Sequence, residues 1–319
     1  MNINMKRNSS AYLVTAFVSI FSTAVLAYDE PPVNLGQTSF LDGAPPAGPG
    51  LYFQDYLKFY TSNRFNDNNG NKLPLPQTKL HTTVNLAQLI YLSPEKCFDT
   101  GSFGLSAILP WLVEAHVKDG LGNSVLKARD GLGDINIGPF FQFDPIMGCD
   151  GPRFVHRIEL DFILPNGRYN RNYAINPGSH FWSFNPYWAA TVWFCPQWSA
   201  STRIHYLWNA KNTDPNVSFG PTATSTKAGQ AVFANLAMEY EVITDFRLGL
   251  NGYVFKQVTD TLMNKHKVAG RRERVWAIGP GLLRSFSKDD SLFLNVYFER
   301  NARNRPQGST YQVRYVHHF

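Results

Sequence analysis

Charge is scarce in this 319-residue sequence: Asp, Glu, Lys and Arg make up 17% of it, against about a quarter in ordinary soluble domains. Cysteine is scarcer still, with three residues and no CxxC or Cys/His ligand spacing, so neither a metal centre nor another cofactor is expected. Past the N-terminus no run of about 18 apolar residues occurs, and mean hydropathy is −0.25; a helical membrane protein is excluded. The net charge of +6 forms no basic helical stripe and no RNA-binding sheet signature, so nucleic acid is not expected as a partner. Nor is there a repeat of fixed period, which argues against a propeller or solenoid.

Aromatic residues, by contrast, reach 14%, and one stretch shows how they are used. Between Trp198 and Trp208, the parity Trp198, Ala200, Thr202, Ile204, Tyr206, Trp208 is largely apolar, while Ser199, Ser201, Arg203 and His205 stand on the other. Side chains alternate faces along a strand. Ten steps at about 3.3 Å each give about 33 Å, and a tilt of about 40° reduces this to about 25 Å. That is the height of the lipid-facing band of an outer-membrane barrel, with aromatics at both rims.

At the N-terminus, Lys6 and Arg7 precede an apolar stretch from Ala11 to Leu26 that ends in small residues before Tyr28. This reads as a secretory signal peptide over residues 1–27. Residues 28–50, rich in Pro and Gly, carry no periodicity; a periplasmic tail and a plug tucked into a lumen are both open. Residues 51–319 then hold twelve strand candidates: 51–62, 78–92, 102–117, 132–144, 153–165, 184–195, 198–209, 229–243, 245–259, 273–286, 291–302 and 309–319. The first and third alternate poorly. Connections after even-numbered candidates are short and those after odd-numbered ones generally long, as in a barrel with periplasmic turns and external loops. The last candidate places Tyr311, Val313, Tyr315, His317 and Phe319 on one face and ends on Phe319. The expected fold is all-β, a transmembrane antiparallel up-and-down barrel of about 12 strands in the outer membrane of a Gram-negative bacterium.

Three segments carry a family resemblance: Ser39–Gly70 (SFLDGAPPAGPGLYFQDYLKFYTSNRFNDNNG), Gly131–Phe141 (GLGDINIGPFF) and Leu164–Trp193 (LPNGRYNRN…NPGSHFWSFNPYWAATVW). The chain resembles outer-membrane proteins of the meta-pathway of phenol degradation, the SphA-like transporters. The resemblance implies a barrel for uptake of aromatic or other hydrophobic compounds, and it brings no catalytic or binding residues with it. A terminal aromatic such as Phe319 also looks like the signal read by the barrel-assembly machinery.

The expected lumen-facing residues are Arg157, Glu159, Asp161, Arg203, His205, Asn235, Glu239, Glu241, Asn295, Glu299 and Arg314. They either select solutes by field and size or form a salt-bridged filling, since interior charges need partners. Lys265, Lys267, Arg271, Arg272, Arg274, Arg300, Arg303 and Arg305 form an expected basic external rim, facing lipopolysaccharide phosphates or attracting anionic solutes. Tyr169, Tyr173, Phe181, Trp182 and Phe184 make an aromatic loop, folded inward as a greasy site or packed on its neighbours. Cys97 and Cys149, in neighbouring short turns of an oxidising compartment, leave a disulfide open, with Cys195 over. An outer-membrane lipid hydrolase would need a Ser–His pair. Only Ser179–His180 and Ser201/His205 come near that, so no enzyme is expected. A channel for small hydrophobic or aromatic solutes and a structural barrel with a filled lumen remain.

Overall fold

The computed structural model describes residues 30–319 apart from Pro46, Asn123 and Val125; the signal-peptide reading of residues 1–27 lies outside them. Twelve long strands follow one another: β1 Gly50–Phe65, β2 Lys79–Leu92, β3 Gly101–Lys118, β4 Asn136–Phe143, β5 Gly151–Ile163, β6 Ser183–Cys195, β7 Trp198–Asn209, β8 Ala231–Ile243, β9 Phe246–Gln257, β10 Arg274–Ser285, β11 Asp290–Arg303 and β12 Pro306–His318. Each pairs antiparallel with its sequence neighbours, and β1 closes the ring on β12 from Tyr52↔His318 to Phe65↔Pro306. Closure leaves the barrel sheet without a first or last strand, which is the condition for strands to cross lipid.

Side-chain alternation decides which surface each residue meets. On β7, Ser199, Ser201, Arg203 and His205 are buried inside, whereas Trp198, Ile204 and Tyr206 are exposed on the outer wall. The outer wall is apolar elsewhere too, with Leu236, Met238 and Tyr240 on β8 and Leu248 and Leu250 on β9. Two-residue turns join β6 to β7, β8 to β9 and β11 to β12. The last of these differs from the sequence reading. β11 ends at Arg303, one residue past the expected 302, and β12 begins at Pro306 where 309 was expected, so Asn304 and Arg305 form the turn and Arg303 lies on a strand and not in a long loop.

The inside is not empty. Residues 30–45 run down the lumen, from Glu30 near the long-loop end, where the Asn209 amide donates to its carboxylate at 2.7 Å, toward Gly50 at the short-turn end. Val33 and Leu35 pack with Leu207, Phe233, Tyr253, Phe255 and Tyr297. Lower down, Phe40 packs with Tyr52, Ile90, Phe140, Leu283 and Phe293. Burial of each such side chain contributes roughly 1.5–3 kcal/mol. Two glycines let this segment lie flush against the wall. Gly36 has φ 72° and a Cβ there would sit 2.8 Å from the Tyr297 ring; at Gly43 a Cβ would meet the Thr191 backbone nitrogen at 2.5 Å.

Candidate solute passage

The leader is held by the polar residues that alternate with the apolar wall. Asn235 on β8 accepts from the Gly36 amide at 2.9 Å and donates to Asn34 and Thr38 at 2.8 and 3.0 Å. Asn295 donates to Ser39 at 3.1 Å, Gln312 to the Gln37 carbonyl at 2.9 Å and Lys58 to the Leu35 carbonyl at 2.9 Å. The strongest tie is ionic: the Arg203 guanidinium grips the Asp42 carboxylate through Nε (2.8 Å) and Nη2 (2.6 Å), both side chains 6% exposed. Two parallel charge-assisted hydrogen bonds fix geometry as well as charge.

Of the expected lumen residues, Arg157, Glu159, Asp161, Arg203, His205, Asn235, Glu239, Asn295, Glu299 and Arg314 are buried on the inner face. Glu241 shares their parity but sits at the short-turn rim, paired with Arg247 at 2.6 Å. Several of these groups are committed to one another. Glu299 accepts from Tyr60 (2.7 Å), Tyr253 (2.8 Å) and the Gly308 amide (2.8 Å). Glu159 accepts from the Tyr187 hydroxyl and faces Arg157 Nε at 3.7 Å. His205 stacks on Phe233 with ring centroids 4.2 Å apart.

Above the leader a cavity of about 360 Å³ opens toward the long-loop end, a size that suits a small ligand. Its wall on β2 and β3 is greasy: Leu86, Ile108, Pro110 and Leu112 line it, while Phe103, Leu105, Leu109 and Trp111 are exposed on the other face of β3. The strand is therefore apolar on both sides. That is why its alternation fails in the sequence, and the same failure is the signal by which these residues could have been found.

The cavity also reaches the barrel wall between β3 and β4. Pairing runs from Gly101↔Phe143 to Ile108↔Asn136 and resumes only at Trp111↔Leu132 and Leu112↔Gly131. Pro110, which has no N–H to give a ladder, lies in the interruption, bridged by one bond from the Gly133 amide to its carbonyl at 2.8 Å. Asp134 beside it accepts from the amides of Gly167 (2.8 Å) and Ser179 (2.7 Å). It thereby ties the connection between β5 and β6 over the gap.

The aromatic residues of that connection do not form one greasy site. Tyr169 stacks on His180 at 4.8 Å and lines the cavity with Phe181, and burial pushes the Tyr169 phenol up to about 12. Tyr173 takes the Arg129 guanidinium over its ring. Trp182 packs on Trp208 at 4.9 Å and Phe184 on Phe162 at 5.0 Å, toward the outer wall.

The basic rim is likewise divided. Lys265, Lys267, Arg272 and Arg300 are exposed; Arg272 donates to Asp260 at 2.7 Å, Arg274 to Asn301 at 2.7 Å, and Arg271 lies over Phe219. Arg303 is half-buried and Arg305 does not belong to the rim at all. The tight turn after β11 swings Arg305 inward, 3.7 Å from Glu273 and 3.9 Å from Glu299.

The Cys97–Cys149 bridge is not formed, and all three cysteines are free thiols. Cys97 is bonded back through its own backbone to Gly101 at 2.7 Å, whereas Cys149 stands at the tip of a small hairpin, Ile146–Gly148 against the start of β5. Ser201 hydrogen-bonds Thr191 and the Asp42 amide, and His205 contacts Asn185. His180 contacts Asn212. Neither serine bonds its nearby histidine.

A closed twelve-stranded ring with an apolar skin and a polar, occupied bore has the fold of outer-membrane barrel channels. The chain belongs to the family described as "Putative MetA-pathway of phenol degradation", whose model matches residues 62–315. Among solved structures it is similar to a COG4313 outer membrane channel from Pseudomonas putida F1, at 19% identity and a TM-score of 0.74, over 90% of this chain and 100% of that one. The NanC porin (11% identity, TM-score 0.44, 83% and 99% covered) is more distant. So is a TodX deltaS2S3 mutant monoaromatic hydrocarbon channel (10%, 0.40, 86% and 93%). Comparison with the curated proteins finds no match.

Proposed function

We propose that the protein is an outer-membrane channel for passive uptake of small hydrophobic or aromatic compounds, tied to the degradation of phenol or other aromatics, and not an enzyme. The observation that carries this reading is the apolar cavity on β2 and β3, which touches both the mouth and the interrupted β3–β4 seam. A solute enters from the long-loop side, sheds water against Leu86, Ile108 and Leu112, and leaves either past the leader or sideways through the seam. In this orientation the short turns, the start of β1 and the end of β12 face the periplasm. The basic residues around Arg272 then meet lipopolysaccharide phosphates, and Phe319, exposed at the end of the chain, is offered to the assembly machinery.

The seam gives the test. An ideal Cβ on Gly133 lies 3.0 Å from the Pro110 Cβ, close enough for a bridge after a small adjustment. In a background with Cys97, Cys149 and Cys195 replaced by Ser, oxidised Pro110→Cys/Gly133→Cys should cut uptake of toluene or benzoate into liposomes severalfold, and reduction should restore it. Unchanged uptake by the oxidised form removes the lateral route. No uptake of either solute by the folded parent, in any state, removes the channel reading in favour of a structural barrel filled by its leader.

A further inference from the structure

A second cavity, of about 80 Å³, lies at the foot of the leader on the short-turn side. Its ionisable lining is unbalanced: Asp42 is the one carboxylate, against Arg157, Arg203 and Arg314. Asp42 is already spent, because both its oxygens are held by Arg203. Arg157 lies over the Phe140 and Tyr187 rings, its carboxylate contact is the distant one with Glu159, and its Nε makes no hydrogen bond. Arg314 is the extreme case. It is 5% exposed, its Nε has no hydrogen-bond partner, and no carboxylate is paired with it among the described residues. Its neighbours in register are aromatic, Tyr56 on β1 and Phe293 on β11. The Phe293 ring lies 3.6 Å from the guanidinium carbon.

A buried, uncompensated guanidinium is costly. Stacking on Phe293 satisfies its face but leaves the in-plane N–H fork unused, and that fork matches a carboxylate or another small anion. We propose that this cavity is a binding site for a small monovalent anion, with Arg314 as its main donor and Arg157 facing it: the carboxylate of an acidic solute, or chloride in its place. The two cavities share Gln37, Gln88, Ile108 and Arg203 in their walls, so the anion site lies next along the bore from the greasy one. Its part in transport rests on the channel reading: apolar acids would be drawn past the leader by their carboxylate. The site itself does not depend on transport.

The test is chloride binding to the full mature chain in detergent, read as 35Cl NMR line broadening, with heat-modifiable gel migration confirming each barrel is folded. Wild type should show broadening that Arg314→Lys largely keeps and Arg314→Gln loses; equal broadening in a folded Arg314→Gln overturns the proposal. Benzoate displacing the chloride signal identifies a carboxylate site, and failure to displace it identifies a halide site. Should Arg314→Gln not fold, Ser291→Asp decides. Ser291 lines the cavity one inward position from Phe293, and a carboxylate there supplies an internal anion. Ser291→Asp should raise the unfolding temperature above that of Ser291→Asn and abolish the Arg314-dependent broadening; lower stability with broadening intact sinks the site.

Discussion

Replacing Asp42 with Asn tests what keeps the leader seated. The change preserves shape and packing but leaves Arg203 buried with its charge unpaired while the leader is in place; leader departure would return that charge to water. Breaking one partner of a buried pair costs about 3–5 kcal/mol, and Asn retains one acceptor, so about 3 kcal/mol is the working figure. At 1.4 kcal/mol per tenfold change, transient openings should become roughly a hundredfold more populated. They should still be a minority, because Val33, Leu35 and Phe40 remain buried and each contributes roughly 1.5–3 kcal/mol. In planar bilayers the expectation is brief ion-conducting bursts in D42N where wild type is mostly quiet. Asp42→Asn/Arg203→Gln should recover part of the quiet behaviour, since it removes the guanidinium that position 42 no longer neutralises. Single-channel records of D42N that match wild type would refute the reasoning and shift the hold to the Asn235 and Asn295 contacts.

Gly36→Val should unseat the upper leader, because a β-branched side chain at φ 72° collides with Tyr297; protease cleavage within residues 30–45 of the folded barrel reads it out, and an uncut variant counts against the fit. Arg272 holds the Asp260 carboxyl below its ordinary value of 3.8 through a hydrogen bond. The pair therefore stabilises the 258–273 connection fully above that value and ceases to as pH falls through the depressed one. The protection factors of that segment's amides, exchange rates corrected for the pH-dependent intrinsic rate, should be higher at neutral pH than in strong acid, and in D260N they should be low at both. Cys149 and Cys195 are exposed and Cys97 half-buried, so a maleimide should label the first two quickly and the third more slowly without prior reduction; a thiol count of one would restore the bridge.

Much of the barrel was legible along the chain, for a local reason. A wall one strand thick, greasy outside and wet inside, writes period-two alternation directly into sequence, as between Trp198 and Trp208 or in Gln230–Val242. Short polar turns such as Ser287–Asp290 punctuate it. The alternation blurs where the inner wall is apolar as well, on β3, so that side of the cavity was hidden in a strand that read poorly. The start of β12 at Pro306, three residues before the expected 309, was missed because a strand that continues beyond the lipid no longer needs an apolar face.

The residues that fill the bore could not be paired from sequence. Asp42 meets Arg203 across 161 positions, and Gly36 meets Asn235 across 199; a Pro/Gly-rich stretch without periodicity carries no record of such partners. Whether Arg305 points to solvent or to Glu273 depends on one two-residue turn. Whether Arg314 has a counter-charge depends on which side chains the register sets beside it, and those are Tyr56 and Phe293. The sequence by itself determined a closed cylinder, its facing and its family, because burial on one side of a strand is a property of neighbouring residues. Only the tertiary structure decided what occupies the lumen, where the wall parts and which buried charges lack a partner, because each depends on contacts between residues far apart in the chain.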